Sequence, residues 1–306
     1  MRNFHLPGRS PVFASNAMCA TSNPLACKVA LSILEAGGNA VDAAIAGAVL
    51  LGLCEPQMTG IGGDCFVLLK PKNSEKIVGL NGSGKSPKSL TSQKLTSKGL
   101  TVMPTDTADA VTIPGAIDAF CRLSEDYGNM GMAETLRPAI YYAEAGVPVG
   151  NRTGFDWEKS EQNLQGVAKE FYLLNGQAPK PGQLFKAPKQ AEILRKVSKD
   201  GRKAFYEGEI AEDMVNSLSQ LGGSHTLDDF SATKCEYTNP ISGFYKDIEL
   251  VEHPPNGHGA TAILMNNILK SFDISSMDPF GSQRVHIEAE AAKLAYDARN
   301  RFLADT

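Results

Sequence analysis

Residues 37–80 read GGNAVDAAIAGAVLLGLCEPQMTGIGGDCFVLLKPKNSEKIVGL. Asn39 is placed to cap a helix, because its side-chain oxygen can accept from the amides that open the first turn. The helix it starts is AVDAAIAGAVLLGL, residues 40–53, and it ends before Pro56. Ala and Gly occupy almost every face of it, so neighbouring elements can approach closely. A glycine-rich turn follows at Thr59-Gly60-Ile61-Gly62-Gly63-Asp64. Two short strands come next, residues 65–70 and 76–80, joined by a polar turn at Lys72-Asn73-Ser74.

Outward from this stretch the helices multiply. Upstream, Ser22 or Asn23 can cap a helix with Pro24 as its first residue. That helix, LACKVALSILEAG, stops at Gly37-Gly38. Downstream, residues 81–110 are polar and read as loop with one short helix. Helices are predicted at 115–127, 132–145, 190–199 and 210–221. The run Gly222-Gly223-Ser224-His225-Thr226 turns into residues 227–230. Strands are predicted at 241–245 and 248–252. The loop His253-Pro254-Pro255-Asn256-Gly257-His258-Gly259 leads to helices at 260–271 and 283–301. Helices before and after a small sheet give a layered α/β body. So few strands cannot cover a sheet on both faces. The pattern therefore predicts a larger body whose remaining strands come from elsewhere.

Composition narrows the function. Lys and Arg number 30 against 34 Asp and Glu, a net charge of −4 over 306 residues. No basic surplus marks a nucleic-acid or anionic-membrane surface. Trp157 is the single tryptophan and aromatics are 7%, which argues against base-stacking platforms. The longest apolar stretch, residues 43–54, is too short for a bilayer, which takes about 20 residues. The opening MRNFHLPGRSPVF has no apolar run of the signal-peptide kind. The six cysteines, Cys19, Cys27, Cys54, Cys65, Cys121 and Cys235, form no CxxC pair. They read as reduced thiols, and the expected compartment is the cytoplasm. Asn81-Gly82-Ser83 and Asn151-Arg152-Thr153 match the glycosylation sequon, which carries no weight in such a compartment.

Gly79-Leu80-Asn81-Gly82-Ser83-Gly84-Lys85-Ser86 matches the phosphate-binding G-x-x-x-x-G-K-[ST] after a predicted strand. A phosphate loop must open a helix with its Lys and Ser. Here Pro87 follows directly and disfavours the helical region for Ser86. The next residues, PKSLTSQKLTSKGL, show no amphipathic stripe. Gly60-Ile61-Gly62-Gly63-Asp64-Cys65 starts like a dinucleotide fingerprint, but it precedes a strand instead of following one. His253 and His258 share a loop with no acidic or Cys partner nearby, so no metal site is expected. Glu288 and Glu290 are two apart on a helix and point to different faces. Spacing alone yields no catalytic set and calls for no cofactor.

A family resemblance emerges at the first helix pair. Ala20-Thr21-Ser22-Asn23-Pro24-Leu25-Ala26, Gly37-Gly38-Asn39-Ala40-Val41-Asp42-Ala43-Ala44, Glu55-Pro56 and Gly60-Ile61-Gly62-Gly63 resemble the γ-glutamyltransferase family. Val111-Thr112-Ile113-Pro114-Gly115 looks like its VxVPG segment. Leu136-Arg137-Pro138-Ala139-Ile140 with Glu144-Ala145-Gly146 looks like its LxPAIxxAExG helix. Phe205-Tyr206-Glu207-Gly208 resembles FYxG, and Gly222-Gly223 with Asp228-Asp229-Phe230 resembles GGxxTxxDL. Pro254-Pro255-Asn256-Gly257-His258-Gly259 resembles PPxSxGG. The matches run in order along nearly the whole chain, which makes them specific.

The resemblance implies an α/β fold, the four-layer αββα sandwich of the N-terminal-nucleophile hydrolases. It implies a precursor that cuts itself into a large and a small chain. The present sequence matches the large chain only, as one domain over residues 1–306, with the sheet completed by the second chain. The nucleophile would be a Thr opening the small chain; Thr306 is not at its position, because more large-chain sequence normally precedes the cut. That Thr would attack an amide with its own α-amine as base, forming an acyl-enzyme. No residue of this chain would be catalytic, and no cofactor or metal would be needed. The partners would be the small subunit and a small-molecule amide, with no nucleic acid and no membrane; a dimer of such heterodimers is the higher assembly considered.

One departure bears on the substrate. Family members acting on γ-glutamyl groups carry an Arg in an R-E-x-A-P motif, which pairs with the substrate carboxylate as a bidentate fork. Counting back from Pro87, Ser83 stands at that position, and Lys85 can supply only a point charge. Asn81, Ser83 and Lys85 are therefore the candidate substrate-binding residues. The Asn-Gly-Ser-Gly segment, with Gly62-Gly63-Asp64-Cys65, looks more like the family's oxamate amidohydrolase branch, which is cytoplasmic and releases oxalate and ammonia. Two alternatives stay open at this point. One is a γ-glutamyl hydrolase or transferase whose carboxylate clamp is rewired, for example by an Arg of the small chain. The other is a non-catalytic nucleotide-binding module built on residues 79–86.

Overall fold

A computed structural model describes residues 10–304; Thr306 and the first nine residues lie outside that range. The chain divides into two compact units. The larger holds residues 15–65 and 82–235. The described part of the smaller holds residues 10–14, 66–81 and 236–304.

The larger unit is helical. Pro24–Glu35 and Ala40–Cys54 pack side by side, and Gly131–Ala145 packs on Ala40–Cys54 and on Pro188–Asp200. The expected close approach is present. A Cβ on Gly47 would lie 3.5 Å from the Ala30 Cβ, and one on Gly52 would lie 3.1 Å from the Gly60 backbone. Asn39 caps its helix as predicted, and Asp42 completes a capping box by accepting from the Asn39 amide. Asp42 is fully buried and also accepts from the amides of Asn129, at 2.9 Å, and Met130. A buried carboxylate is tolerated where donors meet it in this way. The GGN junction is equally packed: a Cβ on Gly38 would strike the Ile33 side chain and the Met130 sulfur, each at 2.7 Å. A two-stranded sheet, Val147–Pro148 with Leu184–Phe185, closes over Trp157, whose ring meets the Phe185 ring edge-on at 4.9 Å.

The smaller unit carries the larger sheet. Its strands lie in the order Cys65–Leu69, Val78–Gly82, Glu236–Thr238. The last two are antiparallel, with Gly79 opposite Thr238 and Asn81 opposite Glu236. The expected second strand was 76–80. Pairing with 236–238, a strand too short and polar to predict, moves it two residues on. The hairpin Ile241–Tyr245 and Ile248–Glu252 forms as expected. Gly259–Leu269 packs on Ile241–Tyr245 and on Ser282–Phe302. Gly243 permits this, since a Cβ there would lie 2.6 Å from the Ile263 side chain. Apolar side chains remain exposed on this unit: Phe66 and Leu68 on one face of their strand, Phe244 and Ile248 on the hairpin, and Leu294 on the last helix. No described helix is long and apolar enough to cross a membrane.

Candidate functional site

Of the three candidate residues, Asn81 belongs to the smaller unit and Ser83 and Lys85 to the larger. Asn81, in the smaller unit, is half-buried at the end of its strand. Its side-chain amide donates to Asn256 Oδ1 at 2.9 Å, which ties it to the loop resembling PPxSxGG. His253, at the start of that loop, is 7% exposed, and its ring meets the Phe66 ring edge-on at 5.1 Å. His253 Nε2 lies 3.4 Å from Thr238 Oγ1, while His258 Nδ1 lies 3.4 Å from an Arg299 guanidinium nitrogen. Among the described residues no group of three or more His, Cys, Asp or Glu is arranged to hold a metal.

Ser83 and Lys85, in the larger unit, sit on backbone fixed by glycines. Residues 83–87 are coil, so no helix begins at Lys85-Ser86 and the phosphate-loop geometry is not built. Gly84 has φ +72°, and a Cβ on it would come within 1.8 Å of the Ile113 carbonyl oxygen. The Ile113 amide donates to the Lys85 carbonyl oxygen at 2.9 Å. Gly115 lies against Gly82 so closely that a Cβ would be 2.2 Å from the Gly82 oxygen. The Gly115 and Ala116 amides both donate to the Gly63 carbonyl oxygen, at 3.1 and 3.0 Å. The 60–64 turn, residues 82–85 and residues 113–116 thus form one locked backbone cluster. It presents a half-buried Ser83 hydroxyl and an exposed Lys85 ammonium. A hydroxyl and a point charge on fixed backbone can receive a small carboxylate, though not as a guanidinium fork would.

Electrostatics keep the neighbouring thiols inert. Burial, and then the Asp64 carboxylate, pushes the Cys65 thiol up to about 11. Burial lifts Cys121 and Cys54 to about 12 each, with Glu125 and Asp118 adding to the first and Glu55 to the second. Partial burial also raises the Asp64 carboxyl. Thiols held this high stay protonated at neutral pH and are poor nucleophiles. Glu288 and Glu290 each face a cation, Arg284 at 2.8 Å and Lys293 at 2.7 Å.

No sequence signal marked the network behind this cluster. Asp118, 5% exposed, is paired with Arg202 and accepts from the Cys235 amide at 2.6 Å. Arg202 also donates to the Thr233 carbonyl oxygen and lies over the Tyr206 ring, 4.8 Å from its centroid. The FYxG-like segment was recognisable, but nothing in it shows that its tyrosine hydroxyl reaches Pro114 and Asp118.

The sequence pattern of the family described as gamma-glutamyltranspeptidase matches residues 26–306. The chain belongs to the gamma-glutamyltranspeptidase family. It is 33% identical over 300 residues to the glutathione hydrolase-like YwrD proenzyme of Bacillus subtilis strain 168, covering 96% of this chain and 56% of that protein. It is 30% identical over 305 residues to the oxamate amidohydrolase proenzyme of Klebsiella pneumoniae, covering 95% of this chain and 56% of the relative. Among solved structures, the cephalosporin acylase of Bacillus halodurans superposes with a TM-score of 0.86 at 34% identity, covering 97% of this chain and 58% of that one. The chain thus spans about half the length of these relatives. The fold implied by the family resemblance, that of the N-terminal-nucleophile hydrolases, is the fold found.

Proposed function

We propose that this chain is the large subunit of a self-cleaving amide hydrolase of the gamma-glutamyltranspeptidase family. Its substrate is a small acidic amide such as oxamate, cleaved through an acyl-enzyme on a Thr that opens the small subunit. The observation that carries the reading is Ser83 in place of the family's carboxylate-binding Arg, on backbone that Gly84 and Ile113 hold fixed. Asn81, Ser83 and Lys85 are assigned as substrate-binding side chains. The names of all three relatives describe hydrolases or acylases, and two are proenzymes. The exposed Phe66 and Leu68 support a second chain that covers this sheet face. We place the enzyme in the cytoplasm, as a heterodimer from one precursor.

The test compares the full-length protein on two substrates: ammonia release from oxamate and amine release from a γ-glutamyl anilide. The proposal expects oxamate to turn over and the anilide not. Ser83→Ala and Lys85→Ala should each lower kcat/KM on oxamate; if both leave it unchanged, the assigned pocket wall is wrong. The second reading is a γ-glutamyl hydrolase or transferase with a rewired clamp, favoured by the glutathione hydrolase-like relative. Anilide turnover accelerated by a dipeptide acceptor would select it.

A further inference from the structure

Cys19 and Cys27 come together where the chain enters its first helix. Cys27 lies in the first turn of Pro24–Glu35, and its amide donates to the Asn23 carbonyl oxygen at 3.1 Å. Asn23 caps the same turn by accepting from Leu25, so the backbone carrying Cys27 is fixed. Eight residues earlier, Cys19 rides on the approach segment. The Cys27 Sγ donates to the Cys19 carbonyl oxygen at 3.5 Å, which brings the two cysteines together across eight residues of chain. Both residues are half-buried, reachable by a small solute, whereas Cys54 and Cys121 are buried. Downstream in the same segment, Ser22 Oγ donates to Glu55 Oε2 at 2.7 Å, which clasps that end of the segment.

We propose that Cys19 and Cys27 are an oxidisable pair, closed to a disulfide by hydroperoxides, that ties the approach segment to the first helix. One thiolate attacks the peroxide oxygen, giving a sulfenic acid and releasing alcohol or water. The second sulfur then attacks the sulfenic sulfur, the S–S bond forms and water leaves. In balance, two thiols and one hydroperoxide give one disulfide, one alcohol or water, and one water. The thiolate is the attacking species. Burial, and then Cys27, raises the Cys19 thiol above its ordinary value, so closure accelerates toward alkaline pH.

The sequence makes the test simple, because cleavage after Arg9 and Lys28 releases both cysteines, and no other, in one peptide. The full-length protein is treated with hydrogen peroxide, unfolded, alkylated with iodoacetamide and digested with trypsin. The expected peptide 10–28 is lighter by two hydrogens and takes up no alkyl group; dithiothreitol restores two alkylation sites. In Cys27→Ser, Cys19 should gain oxygen or stay alkylatable with no such closure. A wild-type peptide that keeps two alkylatable thiols, or whose cysteines gain oxygen separately, overturns the proposal.

Discussion

Tyr206 Oη donates to the Pro114 carbonyl oxygen at 2.7 Å and accepts from the Asp118 amide at 3.1 Å. The side chain is 1% exposed, and burial pushes its phenol up, so it stays a neutral donor. One hydroxyl therefore joins the end of the 113–116 segment to the helix that follows. Tyr206→Phe keeps the ring and leaves the Pro114 carbonyl and the Asp118 amide unpaired. Such buried orphans cost about 1–3 kcal/mol. Urea unfolding of the variant should show that loss; an unchanged midpoint would mean that water replaces the hydroxyl.

Gly84 and Gly99 separate two reasons for needing glycine. Their backbones are alike, with φ +72° and +78°. A Cβ on Gly99 meets nothing within 4 Å, whereas one on Gly84 runs into the Ile113 carbonyl. Gly99→Ala should cost only the left-handed backbone penalty, about 1–2 kcal/mol. Gly84→Ala should cost more than about 4 kcal/mol or prevent folding. Equal losses in thermal unfolding would show that the 82–85 and 113–116 segments separate easily, contrary to the locked cluster described above.

Asp229 links a helix cap to the backbone after the candidate site. Its carboxylate accepts from the Thr226 amide and hydroxyl, at 3.0 and 2.7 Å, and from the Lys88 amide at 3.1 Å. Burial alone would raise this carboxyl, but the hydrogen bonds from Thr226 and Lys88 outweigh it and hold it below its ordinary value. A depressed folded-state value stabilises fully above the unfolded-state value, near 4, and is lost as pH falls through the folded one. Asp229→Asn should therefore cost about 1 kcal/mol at neutral pH, with the cost shrinking below about pH 4. A pH-independent difference between variant and parent would refute the electrostatic part.

Local signals made much of this legible. Asn23 with Pro24, and Asn39 with its Ala-rich run, fix helix starts through groups close in sequence, and both helices begin where expected. The hairpin at 241–252 announced itself by its apolar runs. The strand 236–238 did not, because it exists only by pairing with Val78–Gly82, more than 150 residues away. The helix Leu227–Ala232 is not announced by its sequence, since its capping box uses Thr226 and Asp229 in a polar run with little apolar period. The candidate site was legible only as a departure from a family motif at Ser83. Its rigidity rests on contacts of Gly84 with Ile113 and Gly115 with Gly82, which no spacing rule reveals.

Arg202 and Asp118 offer a sharper test of what supports the cluster. Asp118 is nearly buried, and its two oxygens face the Arg202 guanidinium and the Cys235 amide. Removing the cation leaves a carboxylate in a site that cannot hydrate it, at a cost of about 3–5 kcal/mol for a broken buried pair. Arg202→Met should show a loss of that order. Arg202→Lys keeps the charge but cannot reach Asp118 and the Thr233 carbonyl together, so its loss should be intermediate. Asp118→Asn removes the charge that makes Arg202 necessary. The double variant Asp118→Asn/Arg202→Met should then be destabilised by less than the two single losses added, by at least about 1 kcal/mol. Urea unfolding of the parent, both single variants and the double variant closes the cycle. Additive losses would mean that the pair is only a crossing of two separately hydrogen-bonded side chains, and that it adds no coupling to the support of the 113–118 backbone.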